Sequence, residues 1–163
     1  MRGDQPLSKP MKTVELKIPP PVVALVAAAA AWVASRSAPP LEQPRNIAIL
    51  AAGSFALAGA AIALAGVIAF KRANTTVHPG KPQETSALVT SGVYRFSRNP
   101  MYVGLLLILV GWAAFLSSAW SLVGPFAFVL YIARFQIRPE ERALAAKFGE
   151  AYAAYKAKVR RWL

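Results

Sequence analysis

LVTSGVYRFSRNPMYVGLLLILVGWAAFLSSAWSLVGPFAFVLYIARFQIRPEE, Leu88 to Glu141, decides how this chain folds. Its middle holds two apolar runs, Met101 to Leu116 and Ala119 to Ile137, divided only by Ser117-Ser118. That pattern predicts a tight helical hairpin in a bilayer, which either crosses fully or dips in and returns. The flanks are the unusual part. Two arginines (Arg95, Arg98), two tyrosines (Tyr94, Tyr102), Asn99 and Pro100 crowd the entry to the first run. Glu140 and Glu141 stand just past the exit of the second. Burial in lipid does not call for such a cluster, so it predicts a ligand site at one face of the membrane.

Working outward, two more segments are nearly free of charge, Ile18 to Ser35 and Asn46 to Phe70. The second exceeds the roughly 20 residues a helix needs to cross a bilayer. A hydrophobic fraction of 56% is too high for an ordinary soluble domain of 163 residues. The expected fold is therefore all-α and integral to the membrane. It has four transmembrane helices at about 18–35, 46–70, 101–116 and 119–137, behind a flexible polar tail at 1–17. The alanine-rich first segment is read as a retained span, because it lacks a small-residue cleavage site followed by a soluble domain.

Between these runs the chain punctuates itself. The proline-containing turn Ala38 to Pro44 makes spans one and two an antiparallel pair. Span two is dense in small residues (Gly53, Ala56, Gly59, Ala60, Ala63, Gly66), which predicts close helix packing rather than a site. Ala73 to Asn99 reads as a long polar loop, since Pro79, Gly80, Pro82 and Gly92 oppose a continuous helix. Pro139 suits the first position of a new helix, with Glu140 and Glu141 in its first turn. Leu144, Phe148, Tyr152, Tyr155, Val159 and Trp162 then recur at helical spacing. A basic face opposite that stripe predicts an interfacial helix, loosened midway by Gly149.

The formal charge of +12 suggests nucleic acid until its distribution is inspected. The amino-terminal tail, the central loop and the carboxy-terminal segment hold nearly all the cations, and only Arg36 and Arg45 fall in the remaining connection. Four crossings would put the three basic segments on one side, which positive charge marks as cytoplasmic. Membrane lipids, not nucleic acid, are thus the expected charged partner. Both termini are expected in the cytoplasm, and the alanine-rich composition suggests a bacterial inner membrane. The absence of cysteine excludes thiolate nucleophiles and cysteine metal sites, and a single histidine excludes a multi-histidine centre.

Leu88 to Gly104, followed after the hairpin by Glu140-Glu141 and FGEAYAAY, resembles the isoprenylcysteine carboxyl methyltransferase family, to which the phospholipid methyltransferases are related. The resemblance covers roughly residues 74–163. It implies an integral membrane enzyme that uses S-adenosylmethionine, held between the central loop and the carboxy-terminal helix, and that methylates a lipophilic acceptor. It also implies a cofactor role for His78 in the loop. One position departs: Asn99 stands where the family usually has histidine. Asparagine donates and accepts hydrogen bonds but carries no charge and takes up no proton.

The residue types fit that chemistry. The donor's carboxylate wants a guanidinium, for which Arg98 is the best candidate and Arg95 the second. Its ammonium or ribose hydroxyls want a carboxylate, and Glu140-Glu141 is the close acidic pair. Tyr94 and Tyr102 are placed to face the adenine or the sulfonium cation. The expected cofactor-binding set is His78, Tyr94, Arg98, Asn99, Tyr102, Glu140 and Glu141, with no metal and no identified general base. Each has a plainer reading: the arginines as headgroup anchors, Tyr102 as an interfacial tyrosine, the glutamates as helix-dipole partners. Tyr152 and Tyr155 are read as packing.

An ionised carboxylate acceptor needs no base, which weakly favours it, while the alanine-rich, bacterial-looking sequence leaves a small lipophilic acid, thiol or amine equally open. Three alternatives stand beside this reading. One is a phospholipid or amine methyltransferase on the same fold. Another is a nicotinamide-dependent, sterol-reductase-like membrane enzyme, and the third a non-catalytic membrane scaffold.

Overall fold

The computed structural model describes residues 16–37, 39–73 and 87–163. Their secondary structure is helical throughout: α1 (Pro20–Ser35), α2 (Arg45–Arg72), α3 (Pro100–Leu116), α4 (Val123–Ile132) and α5 (Arg138–Lys158). Short 3₁₀ turns at Gly92–Arg95 and Ala119–Leu122 lead into α3 and α4, and a π-turn at Ala133–Ile137 joins α4 to α5. Two helical stretches are long and apolar enough to cross a membrane, α2 and the 40-residue run Ala119–Lys158. α1 and α3 are apolar but shorter, at 16 and 17 residues.

Proline sets two of the starts. Pro20 and Pro100 occupy the first turns of α1 and α3, where a missing N–H costs nothing. α3 ends at Ser117, whose φ of 51° turns the chain out of the helix. That reversal is tied to the connection between α1 and α2. Leu41 N–H donates to Ser117 O (2.6 Å), Gln43 Nε2 to Ser117 Oγ (2.9 Å) and Arg45 Nη1 to Phe115 O (3.1 Å).

α2 lies along α3, and α1 packs on α3 and α4. The first contact is nearly backbone on backbone: a Cβ built on Gly104 would stand 2.5 Å from Gly59 O, and one on Gly59 2.5 Å from Gly104 O. Such approach maximises dispersion where lipid removes the hydrophobic driving force. The sequence expectation for span two is met here. The core gathers Val23, Ala27, Tyr102, Leu109, Phe128, Ile132 and Ile137, with Trp162 packed against it. Leu25, Leu50, Leu57 and Leu64 stay exposed on the outer faces.

The helix does not begin afresh at Pro139. It runs through, and the π-turn shows how. Proline has no N–H to give the carbonyl four residues back, Phe135 O. Arg138 N–H reaches back to Ala133 O instead, and Leu16 N–H fills Phe135 O at 3.1 Å. Gln136 Nε2 adds a bond to Ile18 O at 2.7 Å. An apolar setting demands that such a freed carbonyl be satisfied, so the proline staples the lead-in of α1 to the end of α4.

α5 does break where expected. Gly149 adopts φ 50° and ψ −122°, a conformation open in practice to glycine alone. The two ends of the bundle differ in charge. Arg36 and Arg45 sit at the end holding Ser117, while Lys17, Lys71, Arg72, Arg95, Arg98 and the α5 cations lie on segments at the other.

Candidate functional site

At that cation-rich end, the segment before α3 is shaped by its own residues. Gly92, at φ 60°, opens the 3₁₀ turn Gly92–Arg95. The turn directs Tyr94 inward, 5% exposed and edge-on to Phe70 with ring centroids 5.3 Å apart. Arg95 and Phe96 point outward. Pro100 keeps Asn99 out of the helix at φ −133°, and Asn99 N–H donates to Ser97 Oγ (3.0 Å).

The segment following α5 returns across this corner. Arg98 N–H donates to Arg160 O (3.0 Å) and Asn99 Nδ2 to Arg161 O (2.8 Å). Arg161 grips Glu141 with both arms of its guanidinium, Nε to Oε1 at 3.1 Å and Nη2 to Oε2 at 2.6 Å. Arg98 Nη2 approaches Glu141 Oε1 at 3.1 Å. The Arg98 side chain is 8% exposed, and its Nε and Nη1 are buried with no hydrogen-bond partner. An unpaired buried donor on a charged group is costly, so these two N–H groups call for an anionic acceptor.

Glu140 points to a different partner. Tyr102 donates its phenol to Glu140 Oε1 at 2.6 Å. Glu140 lies past the apolar run that ends at Ile137, yet burial pushes its carboxyl up to about 8. The Tyr102 bond pulls against that shift, and the neighbouring Glu141 adds to it. Burial likewise raises the Tyr94 phenol, with Tyr155 and Glu140 adding to it. Tyr155 donates to Tyr94 O at 2.7 Å, which ties α5 to the loop. Outside Glu141, a cleft of about 440 Å³ is lined by Arg138, Arg142, Gly149, Tyr152 and Lys156.

Tyr94, Arg98, Asn99, Tyr102, Glu140 and Glu141 thus converge on one corner, although they come from a loop and two helices. Arg95 does not join them. His78 lies outside the described residues. Among the described residues no group of three metal-ligating side chains forms. Three further members of the corner escaped the sequence reading. Tyr152 and Tyr155 sat on an apolar stripe and looked like packing, and Arg161 follows the helix with no pattern linking it to Glu141. Chemically, the corner offers unpaired guanidinium donors for an anion and a half-buried carboxyl for a cation or hydroxyl, beside an apolar bundle.

Residues 47–151 match the phospholipid methyltransferase family, a stretch that takes in α2, α3, α4 and α5 beyond Gly149. The chain belongs to the phospholipid methyltransferase family. Its matched stretch carries every corner residue except Tyr152, Tyr155 and Arg161. The chain is also 49% identical over 63 residues to an uncharacterised protein of Haemophilus influenzae, covering 39% of this chain and all of that one. It is 40% identical over 79 residues to a Xenopus laevis protein-S-isoprenylcysteine O-methyltransferase, covering 47% of this chain and 26% of the frog protein. No solved structure matches the chain. Membership of the phospholipid methyltransferase family, with apolar helices long enough to cross a bilayer, fits a membrane methyltransferase.

Proposed function

We propose that the chain is an integral membrane methyltransferase that uses S-adenosylmethionine and methylates a lipophilic acceptor. The observation that carries this reading is Arg98, a buried guanidinium with Nε and Nη1 unpaired. Methyl-donor cofactors of this kind carry a carboxylate, and an unpaired, charged donor held out of water suits one. Four crossings, α1, α2, α3 and α4 with its flanking turns, form the membrane part. Residues 18–163 make one domain, with its cofactor core within 74–163. The cation-rich end faces the cytoplasm of a bacterial inner membrane, with both termini on that side.

When bound, S-adenosylmethionine supplies an electrophilic methyl group on a sulfonium. The protein's part is positioning and exclusion of water. Arg98 gives the donor carboxylate a charge-assisted bond from one of its two unpaired donors, Nε or Nη1. Glu140 takes the ammonium or the ribose hydroxyls, and Tyr102 orients it through their hydrogen bond. Tyr94 presents a ring toward the cationic or adenine part, and Asn99 keeps the returning segment over the site. Glu141 steadies Arg98. His78 is carried as a further contact on the strength of the sequence resemblance.

The acceptor enters from the apolar side of the corner. An ionised carboxylate on a lipophilic chain suits a site whose acids are already engaged, Glu140 by Tyr102 and Glu141 by Arg161 and Arg98. A lipid amine is the second reading, favoured by the raised protonation range of Glu140, which lets it take a proton near neutral pH.

A labelled methyl-transfer screen on detergent-solubilised protein tests the proposal, with lipophilic acids, thiols and amines as acceptors. Binding of S-adenosylmethionine that is lost in Arg98→Ala and Glu140→Ala is the expected result. No binding, or nicotinamide binding in its place, overturns it.

A further inference from the structure

Arg161 has no part in the proposed function as stated, yet it is pinned at both ends. Its main-chain carbonyl accepts from Asn99 Nδ2 at 2.8 Å, and the preceding carbonyl of Arg160 accepts from Arg98 N–H at 3.0 Å. Its side chain holds both oxygens of Glu141, at 3.1 and 2.6 Å. The bond to Glu141 raises its own pKa, so it stays charged throughout.

The consequence falls on Arg98. Glu141 lies between two guanidiniums and gives Arg98 one contact, Nη2 to Oε1 at 3.1 Å. An unhindered arginine and carboxylate prefer the two-bond fork. With Arg161 absent, Glu141 has a second oxygen free to turn onto Arg98. Arg98 would then be matched by its own protein, its second donor no longer offered to a ligand. The charge of Arg161 matters less than its geometry. Its side chain is 35% exposed, so solvent screens its direct pull on a ligand at Arg98.

We propose that Arg161 is a positioning residue for the donor: by occupying Glu141, it keeps the guanidinium of Arg98 open to the donor's carboxylate. This rests on the reading of Arg98 as the carboxylate site. Arg161 itself touches no ligand.

The test compares two probes on the full-length protein in detergent. S-adenosylhomocysteine retains the amino-acid carboxylate, and 5′-methylthioadenosine lacks it. In Arg161→Ala, S-adenosylhomocysteine should bind about tenfold or more weakly, the scale of one charge-assisted hydrogen bond. 5′-Methylthioadenosine should bind as to the unaltered protein, which also shows that the variant is folded. Arg161→Lys should recover part of the loss, because ammonium engages one oxygen well and not two. Adding Glu141→Gln to Arg161→Ala should recover more, because a neutral amide does not compete for Arg98.

Equal weakening of both probes would make Arg161 merely structural and overturn the inference. So would unchanged S-adenosylhomocysteine binding in Arg161→Ala. If the unaltered protein binds neither probe, the donor-site reading falls and this inference falls with it. Normal binding by the unaltered protein with no effect of Arg161→Ala removes the inference alone.

Discussion

Tyr102 and Glu140 meet across 38 residues of sequence, the phenol donating to Oε1 at 2.6 Å. The pair joins the first turn of α3 to the start of α5, and so closes the corner around Arg98 from the apolar side. It also places a carboxyl where burial opposes its charge.

That opposition sets a pH dependence. Glu140 has a folded-state pKa of about 8, raised from an ordinary value of 4.5. The fold therefore favours the protonated form. Stability from this group is fully present below about 4.5 and is lost as pH rises toward and through 8. Donor binding runs the other way where Glu140 takes the ammonium, because that cationic partner needs the carboxylate ionised. Affinity for S-adenosylhomocysteine should rise between pH 6.5 and 8.5, by roughly tenfold per unit below the pKa. Tyr102→Phe removes a bond that favours the carboxylate, so the midpoint should move up by about one pH unit. A midpoint that stays put or falls would separate Tyr102 from Glu140. Titration calorimetry across this range measures it.

Asn99 is tied to Arg161 O by its side-chain N–H, so the position serves through hydrogen bonding here and not through charge. An imidazole N–H can donate to the same carbonyl. Asn99→His should accordingly keep most donor affinity, whereas Asn99→Ala should lose about 1 kcal/mol of it, near fivefold. Methyl-donor affinities of the two variants decide the matter, and a loss in Asn99→His as large as in Asn99→Ala would refute the account.

Much of this corner was legible in the chain because lipid makes polar residues conspicuous. Arg98, Tyr102 and Glu140 stand against apolar runs that give them no other employment, and the helix limits follow from Pro20, Pro100 and Ser117. What stayed hidden has a physical pattern too. Tyr155 keeps the 3.6-residue period of a packing stripe, and only its terminal oxygen, bonded to Tyr94 O, marks it as part of the corner. Arg161 lies past the end of α5 at Lys158, where Val159 is extended, so no helical spacing relates it to Glu141. Pro139 misled in the other direction. A proline normally signals a helix start, and here the backbone was rescued by a donor from Leu16, 119 residues of topology away in the sequence.

That rescue is open to test. Pro139→Ala supplies an N–H that competes for Phe135 O inside the helix, so Leu16 N–H should lose its partner part of the time. Hydrogen exchange at Leu16 should then quicken, while exchange in α2 should not change. A Leu16 amide equally protected in both proteins would show that its bond to Phe135 O does not depend on the proline.

The crossing of α2 and α3 is the contact least able to give way. A methyl on Gly104 would stand 2.5 Å from Gly59 O, with Ala63 Cβ and N within 2.9 Å as well. These are backbone atoms and a short side chain, so no rotamer change relieves the clash. Gly104→Ala should separate the helices and cost at least 1–3 kcal/mol, the usual range for overpacking. Gly53 sits in the same α2 and provides the control, because a Cβ there meets nothing within 4 Å. Gly53→Ala should be neutral or stabilise by about 0.5–1 kcal/mol through lower backbone entropy in the unfolded chain. Thermal unfolding in detergent compares the pair. If both substitutions behave alike, α2 and α3 do not cross at Gly59 and Gly104. A lower melting point for Gly104→Ala alone ties stability to that crossing, which also carries Tyr102 on the same turn of α3 toward Glu140.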